Sequence, residues 1–318
     1  MNSRFAGGKA LSPELEISAY SMAGCRARTA KSFHSCRTRP PLNGIRAASI
    51  LGDMLPYLHL GHLSIPTFGL MLWLAAVVGA WIMDRSFRRE RIDADAIGMV
   101  AIALVAGLIG AKLWHVLDTP SEFREEGWSV LWDRAGFAWY GGLTFGIVAL
   151  VVQGWRAKLG WLRTLDLASS AAAAGYAIGR LGCLLSGDGD YGIETKLHWP
   201  WGMAFPNGIV PTAPGVRVLP TPLYEMAVGL LIAWWLWRRA GKPHAVGMIV
   251  GQYLLLSGLA RFLVEFVRRN PKIFLDLSNA QLASVGSMVA GLALIGWAAR
   301  QPERSLAVDH PPAAHKPA

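Results

Sequence analysis

The chain has 318 residues, of which 53% are hydrophobic and only 16% charged, with 14 Trp and a mean hydropathy of +0.33. Soluble domains carry roughly one quarter charged residues, so this composition excludes an ordinary soluble enzyme and points to a protein immersed in a bilayer. The net charge of +10 then reads as membrane orientation and contact with anionic membrane lipid, with no nucleic acid partner required.

Residues 1–53 contain Arg, Ser and Pro and two of the cysteines, Cys25 and Cys36, but lack the apolar core of a secretory signal. They are expected to be disordered, or an upstream extension of the reading frame with Met54 as an alternative start. Ala23-Gly24-Cys25 has the form of a lipoprotein cleavage box without the apolar stretch that precedes one. Beyond it, apolar runs fall at roughly 65–83, 96–117, 137–155, 165–186, 222–237, 245–267 and 279–299. Each approaches the ~20 residues a helix needs to cross a hydrocarbon core of about 30 Å. An open sheet would leave backbone groups unpaired in lipid, so the expected fold is all-α: a polytopic membrane domain over 54–300 with about seven transmembrane helices. A disordered, proline-containing cytoplasmic tail is expected over 301–318.

Basic loops mark the cytoplasmic side. Arg85, Arg88, Arg89 and Arg91 follow the first run, Arg156, Lys158 and Arg163 the third, and Arg238, Arg239 and Lys242 the fifth. The acidic loop after the second run and the long loop at 187–221 would face outward. These assignments predict an N-terminus outside and a C-terminus inside, against which Arg268, Arg269 and Lys272 after the sixth run stand as an exception.

Cys25, Cys36 and Cys183 show neither metal-ligand spacing nor a disulfide framework, and His115 and His198 have no partner at a helical interval. Neither a metal nor a cofactor is expected. The chemistry must therefore rest on polar groups inside the apolar runs. Arg180, near the end of the fourth, keeps its charge at any working pH and is costly at membrane depth unless a carboxylate, a water-filled cavity or an anion accompanies it. Arg261 and Glu265 stand four residues apart on one helix face, within pairing reach. Two arginines against one glutamate leave a positive surplus, which suits a phosphate. Trp139-Tyr140-Gly141-Gly142-Leu143 offers a close backbone approach to a neighbouring helix or to a ligand. Gly187-Asp188-Gly189-Asp190-Tyr191-Gly192 is a turn whose carboxylates could pair Arg180 or bind a cation, and Pro220-Thr221-Pro222-Leu223-Tyr224-Glu225 sets a carboxylate at a helix start.

In order along the chain, these motifs resemble the phosphatidylglycerol–prolipoprotein diacylglyceryl transferases of bacterial inner membranes. The likeness rests on Leu55-Pro56-Tyr57-Leu58-His59 with Phe68-Gly69-Leu70-Met71, on Gly141-Gly142-Leu143, on Gly179-Arg180-Leu181-Gly182, on Leu223-Tyr224-Glu225, and on Arg261-Phe262-Leu263-Val264-Glu265-Phe266. It implies transfer of the diacylglyceryl group of phosphatidylglycerol to the lipobox cysteine of a prolipoprotein signal peptide, with release of glycerol phosphate. By that resemblance Arg180 and Arg261 hold the phosphate, Glu265 orients Arg261, and Tyr140 completes the catalytic set. Phe68, Gly141, Gly142, Cys183, Asp188, Tyr224 and Glu225 would contact substrate. The chain departs from the family's pattern at Tyr140 and Leu219, where histidines stand, at Phe68 for a tyrosine, at Cys183 for an asparagine, and at Asp188 for a glutamate. With a pKa of about 10 when unperturbed, tyrosine is a poor replacement for a histidine base. Two other readings stay open: a related membrane transferase with another acceptor or a noncatalytic phospholipid-binding member of the family, and a transporter or channel, for which no internal repeat is visible.

Overall fold

The computed structural model describes residues 55–132, 136–273 and 276–302. The N-terminal extension with Met54, Cys25 and Cys36, and the tail beyond 302, lie outside the described residues. A hairpin of β1 (Tyr57–Leu60) and β2 (Leu63–Pro66) opens the fold, an element the apolar runs do not announce. Its two-residue turn needs a positive φ, which Gly61 supplies at 61°.

Helices stand at every predicted apolar run. They are α1 (Thr67–Arg89), α2 (Ala96–Asp118), then after a short α3 (Pro120–Glu126) come α4 (Trp139–Arg156), α5 (Trp161–Ser186), α6 (Thr221–Ala240), α7 (Met248–Val264) and α8 (Asn279–Ala298). A 3-10 turn, Glu265–Val267, extends α7. Of these, α1, α2, α7 with its extension, and α8 are long and apolar enough to cross a membrane by length and composition. The more polar α5 carries Arg163, Asp166, Ser169, Ser170 and Arg180, and α6 carries Glu225 and ends on Arg238 and Arg239. The molecule is thus a mainly helical membrane protein with a small hairpin added.

α5 is the hub, packing against α1, α6 and α7 and more lightly against α4. Lipid tails are as apolar as leucine, so small side chains that let backbones approach hold membrane helices together. α5 meets this need with Ala168, Ala171, Ala173, Ala174 and Ala177, all buried. Ala168 and Ala171 pack with Met83 and Phe87 of α1, while Ala173 and Ala174 pack with Ile232, Ala233 and Leu236 of α6 and Ile249 of α7. Glycine seams join the outer pairs. A Cβ on Gly141 would collide with the Gly110 carbonyl of α2, and one on Gly291 of α8 would stand 2.7 Å from the Gly251 carbonyl of α7. Large apolar side chains such as Trp73, Val105, Ile109, Val148, Leu231 and Val289 stay exposed around the bundle, the face a bilayer covers.

Two ends result. At one, Arg163 pairs with Glu90 at 2.8 Å, Arg89 lies over the Trp237 ring at 3.4 Å, and the Asp166 carboxylate caps α7 by accepting from the Gly247 and Val250 amides at 2.5 and 2.7 Å. At the other, the start of α1, the end of α5, the start of α6 and the end of α7 come together beneath residues 187–220. That long connection is folded. Met203 and Val218 exchange backbone hydrogen bonds at 3.0 and 2.8 Å, and Tyr191 stacks on Phe205 with ring centroids 4.0 Å apart. Leu184 of α5 closes the same apolar cluster. The connection also reaches across to α7: Ile193 donates to the Val267 carbonyl at 2.8 Å, and Gly192 bridges Arg268.

Candidate active site

The second end holds a network of ion pairs built on Glu225, in the first turns of α6 and almost fully buried. Arg180 of α5 approaches it with Nε 3.3 Å from Oε2, Arg261 of α7 with Nη1 3.2 Å from Oε1, and Arg268 with Nη1 3.4 Å from Oε2. Asp190, from the turn after α5, joins two of these guanidiniums: Oδ2 contacts Arg180 and Oδ1 accepts from Arg268 at 2.6 Å. Glu265 closes the set at 3.0 Å from Arg261 Nη2. Its other oxygen accepts from Ser278 Oγ at 2.7 Å and Asn270 Nδ2 at 2.6 Å. Ser278 is also the N-cap of α8, in a capping box with Gln281, so the last helix is tied into the site.

Arg180, Arg261 and Glu265, singled out in the sequence, do come together, and Glu225 lies at their centre. The positive surplus expected of them does not occur: Arg180, Arg261 and Arg268 face Asp190, Glu225 and Glu265, which balances the charge. Arg268 and Tyr176 are the members that sequence reasoning missed. Arg268 reads as a loop cation, yet it stands three residues after Glu265 and seven after Arg261, the spacing of one helix face. Tyr176, four residues before Arg180, donates its hydroxyl to Glu225 Oε1 at 2.8 Å and accepts from Arg180 Nε at 3.1 Å.

The remaining residues lie around this centre or away from it. Phe68 and Met71 of α1 pack on Gly182, two residues past Arg180. Cys183 Sγ is 3.8 Å from Arg180 Nη1 and lies within 4.8 Å of the Asp188 carboxylate, which accepts from the Asp190 amide at 3.2 Å. Cys183 and the two aspartates lie within 4.8 Å of one another, close enough for a cation, but both Asp190 oxygens are already engaged by guanidiniums. Gly187 ends α5 in the left-handed region at φ 61°, where a side chain would also meet Gly208. Tyr224 turns to the outer connection, donating to the Trp201 carbonyl at 2.8 Å. Gly141 and Gly142 sit in the seam with α2, and among the described residues no hydrogen bond joins the half-exposed Tyr140 to the guanidiniums.

Outside the bundle the aspartates differ in character. Burial raises the Asp188 carboxyl above the ordinary aspartate value. Burial pushes Asp190 the same way, but Arg268 and Arg180 overcome it and hold that carboxyl below the ordinary value. Burial takes the Tyr191 hydroxyl up to about 12. A raised carboxyl accepts a proton more readily, whereas a doubly paired one serves as a fixed anion.

A family model described as prolipoprotein diacylglyceryl transferase matches residues 56–297. The chain belongs to this family. Proteins named phosphatidylglycerol–prolipoprotein diacylglyceryl transferase resemble it along most of its length. That of Leptospira interrogans is 29% identical, with 68% of this chain and 77% of that protein covered. The Cupriavidus necator protein is 30% identical over 77% of this chain and 92% of its own. For Methylibium petroleiphilum the values are 31%, 74% and 89%. As a member of the prolipoprotein diacylglyceryl transferase family, the chain is a transferase.

Proposed function

We propose that the protein transfers the diacylglyceryl group of phosphatidylglycerol to the cysteine thiol of a prolipoprotein, and that the network around Glu225 is where this happens. The observation that carries the reading is the convergence of Arg180, Arg261 and Arg268, from α5 and the end of α7, on one partly open end of the bundle. In the reaction the thiolate sulfur bonds to the glyceryl carbon, and the carbon–oxygen bond to phosphate breaks. Its electron pair leaves with glycerol phosphate. The phosphate gains one negative charge as it departs, so guanidiniums fixed around it act on the transition state more than on the ground state. Glu265, held by Ser278 and Asn270, keeps Arg261 in position.

The thiol must lose a proton, because the thiolate is the nucleophile. Tyr140 stands where the family has a histidine, yet among the described residues no hydrogen bond joins it to the guanidiniums. Asp188 is better placed: its carboxylate lies beside Cys183 and Asp190 and its proton affinity is raised. We assign the proton to Asp188, and contacts with the acyl-glyceryl portion to Phe68 and Cys183.

The bilayer frame follows the helices. All seven long helices cross, with the N-terminus outside, the C-terminus in the cytoplasm and the site at the outer face of the bacterial inner membrane. Arg85, Arg88 and Arg89 lie at the opposite end, which supports this orientation. So does the exception after α7, because Arg268 is buried in the network and Arg269 pairs with Glu194 at 3.1 Å.

The test uses purified protein, phosphatidylglycerol vesicles and a peptide carrying a lipobox cysteine. The expected result is a mass gain of one diacylglyceryl unit on the peptide and release of glycerol phosphate. Arg180→Ala should lower the rate by at least about 100-fold while the protein still inserts. Phosphatidylglycerol that co-purifies but yields no glycerol phosphate would instead identify a lipid-binding member of the family.

A further inference from the structure

The balanced network raises a problem for any entering phosphate. Arg180, Arg261 and Arg268 already have carboxylate partners, and an anion joining them would leave the site with an excess of negative charge at the bundle's end. One resident carboxylate must give way. Glu225 cannot do so readily: its side chain is 4% exposed, three arginines surround it, and Tyr176 adds a hydrogen bond. Glu265 is 0% exposed and is gripped by Ser278 and Asn270 as well as Arg261. Asp190 differs on each count. Its side chain is 36% exposed, it lies on the turn outside the helices, and its carboxylate oxygens go to Arg180 and Arg268.

The geometry points to Asp190 as a resident substitute for the head-group phosphate: its carboxylate bridges Arg180 and Arg268 when the site is empty, and an entering phosphate takes its place. Two oxygens on one centre reaching two guanidiniums from different elements is the contact that a phosphate makes. The exchange is confined to the side chain. The Asp190 backbone is fixed by Thr221 Oγ1, which donates to its carbonyl at 2.6 Å, and by the neighbouring Gly192 amide on the Leu219 carbonyl at 2.9 Å. Rotation of the partly exposed Asp190 side chain toward solvent releases Arg180 Nη1 and Arg268 Nη2 without moving the turn. A substitute of this kind keeps Arg180 Nη1 and Arg268 Nη2, the guanidinium nitrogens that Asp190 engages beside the Glu225 pairs, from losing their anion between turnovers, and loss of a partner at a buried charge is destabilising. It also weakens phosphate binding by the fraction of molecules in which Asp190 is bound. This deepens the proposed function and rests on it in taking a phosphate as the entering anion.

The experiment measures calorimetric binding of glycerol phosphate to the full-length protein in nanodiscs free of phosphatidylglycerol. Asp190→Asn should bind roughly tenfold more tightly than the wild type, and Asp190→Glu, which restores a carboxylate, should bind close to it. Equal or weaker binding by Asp190→Asn overturns the inference and leaves the phosphate site standing. Unchanged binding in Arg180→Ala, or no binding by any of these proteins, overturns the phosphate site and the inference with it. A further readout needs no variant. Infrared difference spectra of the unaltered protein on adding glycerol phosphate should show an ion-paired carboxylate stretch replaced by a hydrated one; no carboxylate change overturns the inference even if Asp190→Asn cannot be purified.

Discussion

Asp188 and Asp190 stand two residues apart and do opposite electrostatic work. Because burial raises Asp188, its loss of base function on acidification should begin at a higher pH than the ordinary aspartate value of about 3.9. The rate of transfer should rise with pH through that limb. Asp188→Asn should remove the limb and lower the rate about 100-fold, whereas Tyr140→Phe should change it less than about twofold; rate–pH profiles of the three proteins decide between the two bases. Asp190 has its proton affinity lowered on folding, so its pairing stabilises the protein above the ordinary carboxylate value and is lost as pH falls through the lowered folded value. Melting temperatures should therefore separate wild type from Asp190→Asn at neutral pH, begin to approach one another only below about pH 4, and converge once the pH has passed the lowered folded value. The sequence disclosed much of this chemistry, because a charge inside an apolar run such as Arg180 is conspicuous. It concealed Tyr176, since a tyrosine in such a run looks like an ordinary amphipathic neighbour. It also misplaced Arg268, whose charge falls just where a loop would be expected.

At the scale of elements, the apolar runs located the long helices to within a few residues because length and hydrophobicity alone nearly determine a membrane helix. The hairpin and the folded connection over 187–220 obey no such period. Their order comes from long-range pairs, Met203 with Val218 and Ile193 with Val267, which have no local signature. Gly141 and Gly142 show the converse ambiguity, for paired glycines fit a lipid head or a helix equally well in sequence. Their place against α2 makes a specific prediction. Gly141→Val should destabilise the α2–α4 pair by about 1–3 kcal/mol, seen in thermal unfolding. A higher KM for phosphatidylglycerol with unchanged melting would return that glycine to the substrate. Asp166 offers a contrast from the other end. Asp166→Ala leaves the Gly247 and Val250 amides unpartnered and should lower stability by about 1–3 kcal/mol, while KM for the lipid stays at the wild-type value.

For the whole molecule, ion pairs gather at both ends and small residues fill the middle, as expected where no water exists to solvate a charge at mid-depth. The proposed orientation is checked with reporters that are active only outside the cytoplasm. Fused after residue 210 such a reporter should be active, and fused after residue 242 it should be silent; the reverse pattern would invert the bundle and turn the site toward the cytoplasm. The bridge between Gly192 and Arg268 bears on how such a protein can be rebuilt. The outer connection shares backbone hydrogen bonds with the segment that supplies one arginine of the site, so the two form a single exchangeable module. A chimera that imports a foreign 187–220 alone would pull Arg268 out of alignment, whereas one that imports 187–220 together with 265–270 would carry its own alignment with it.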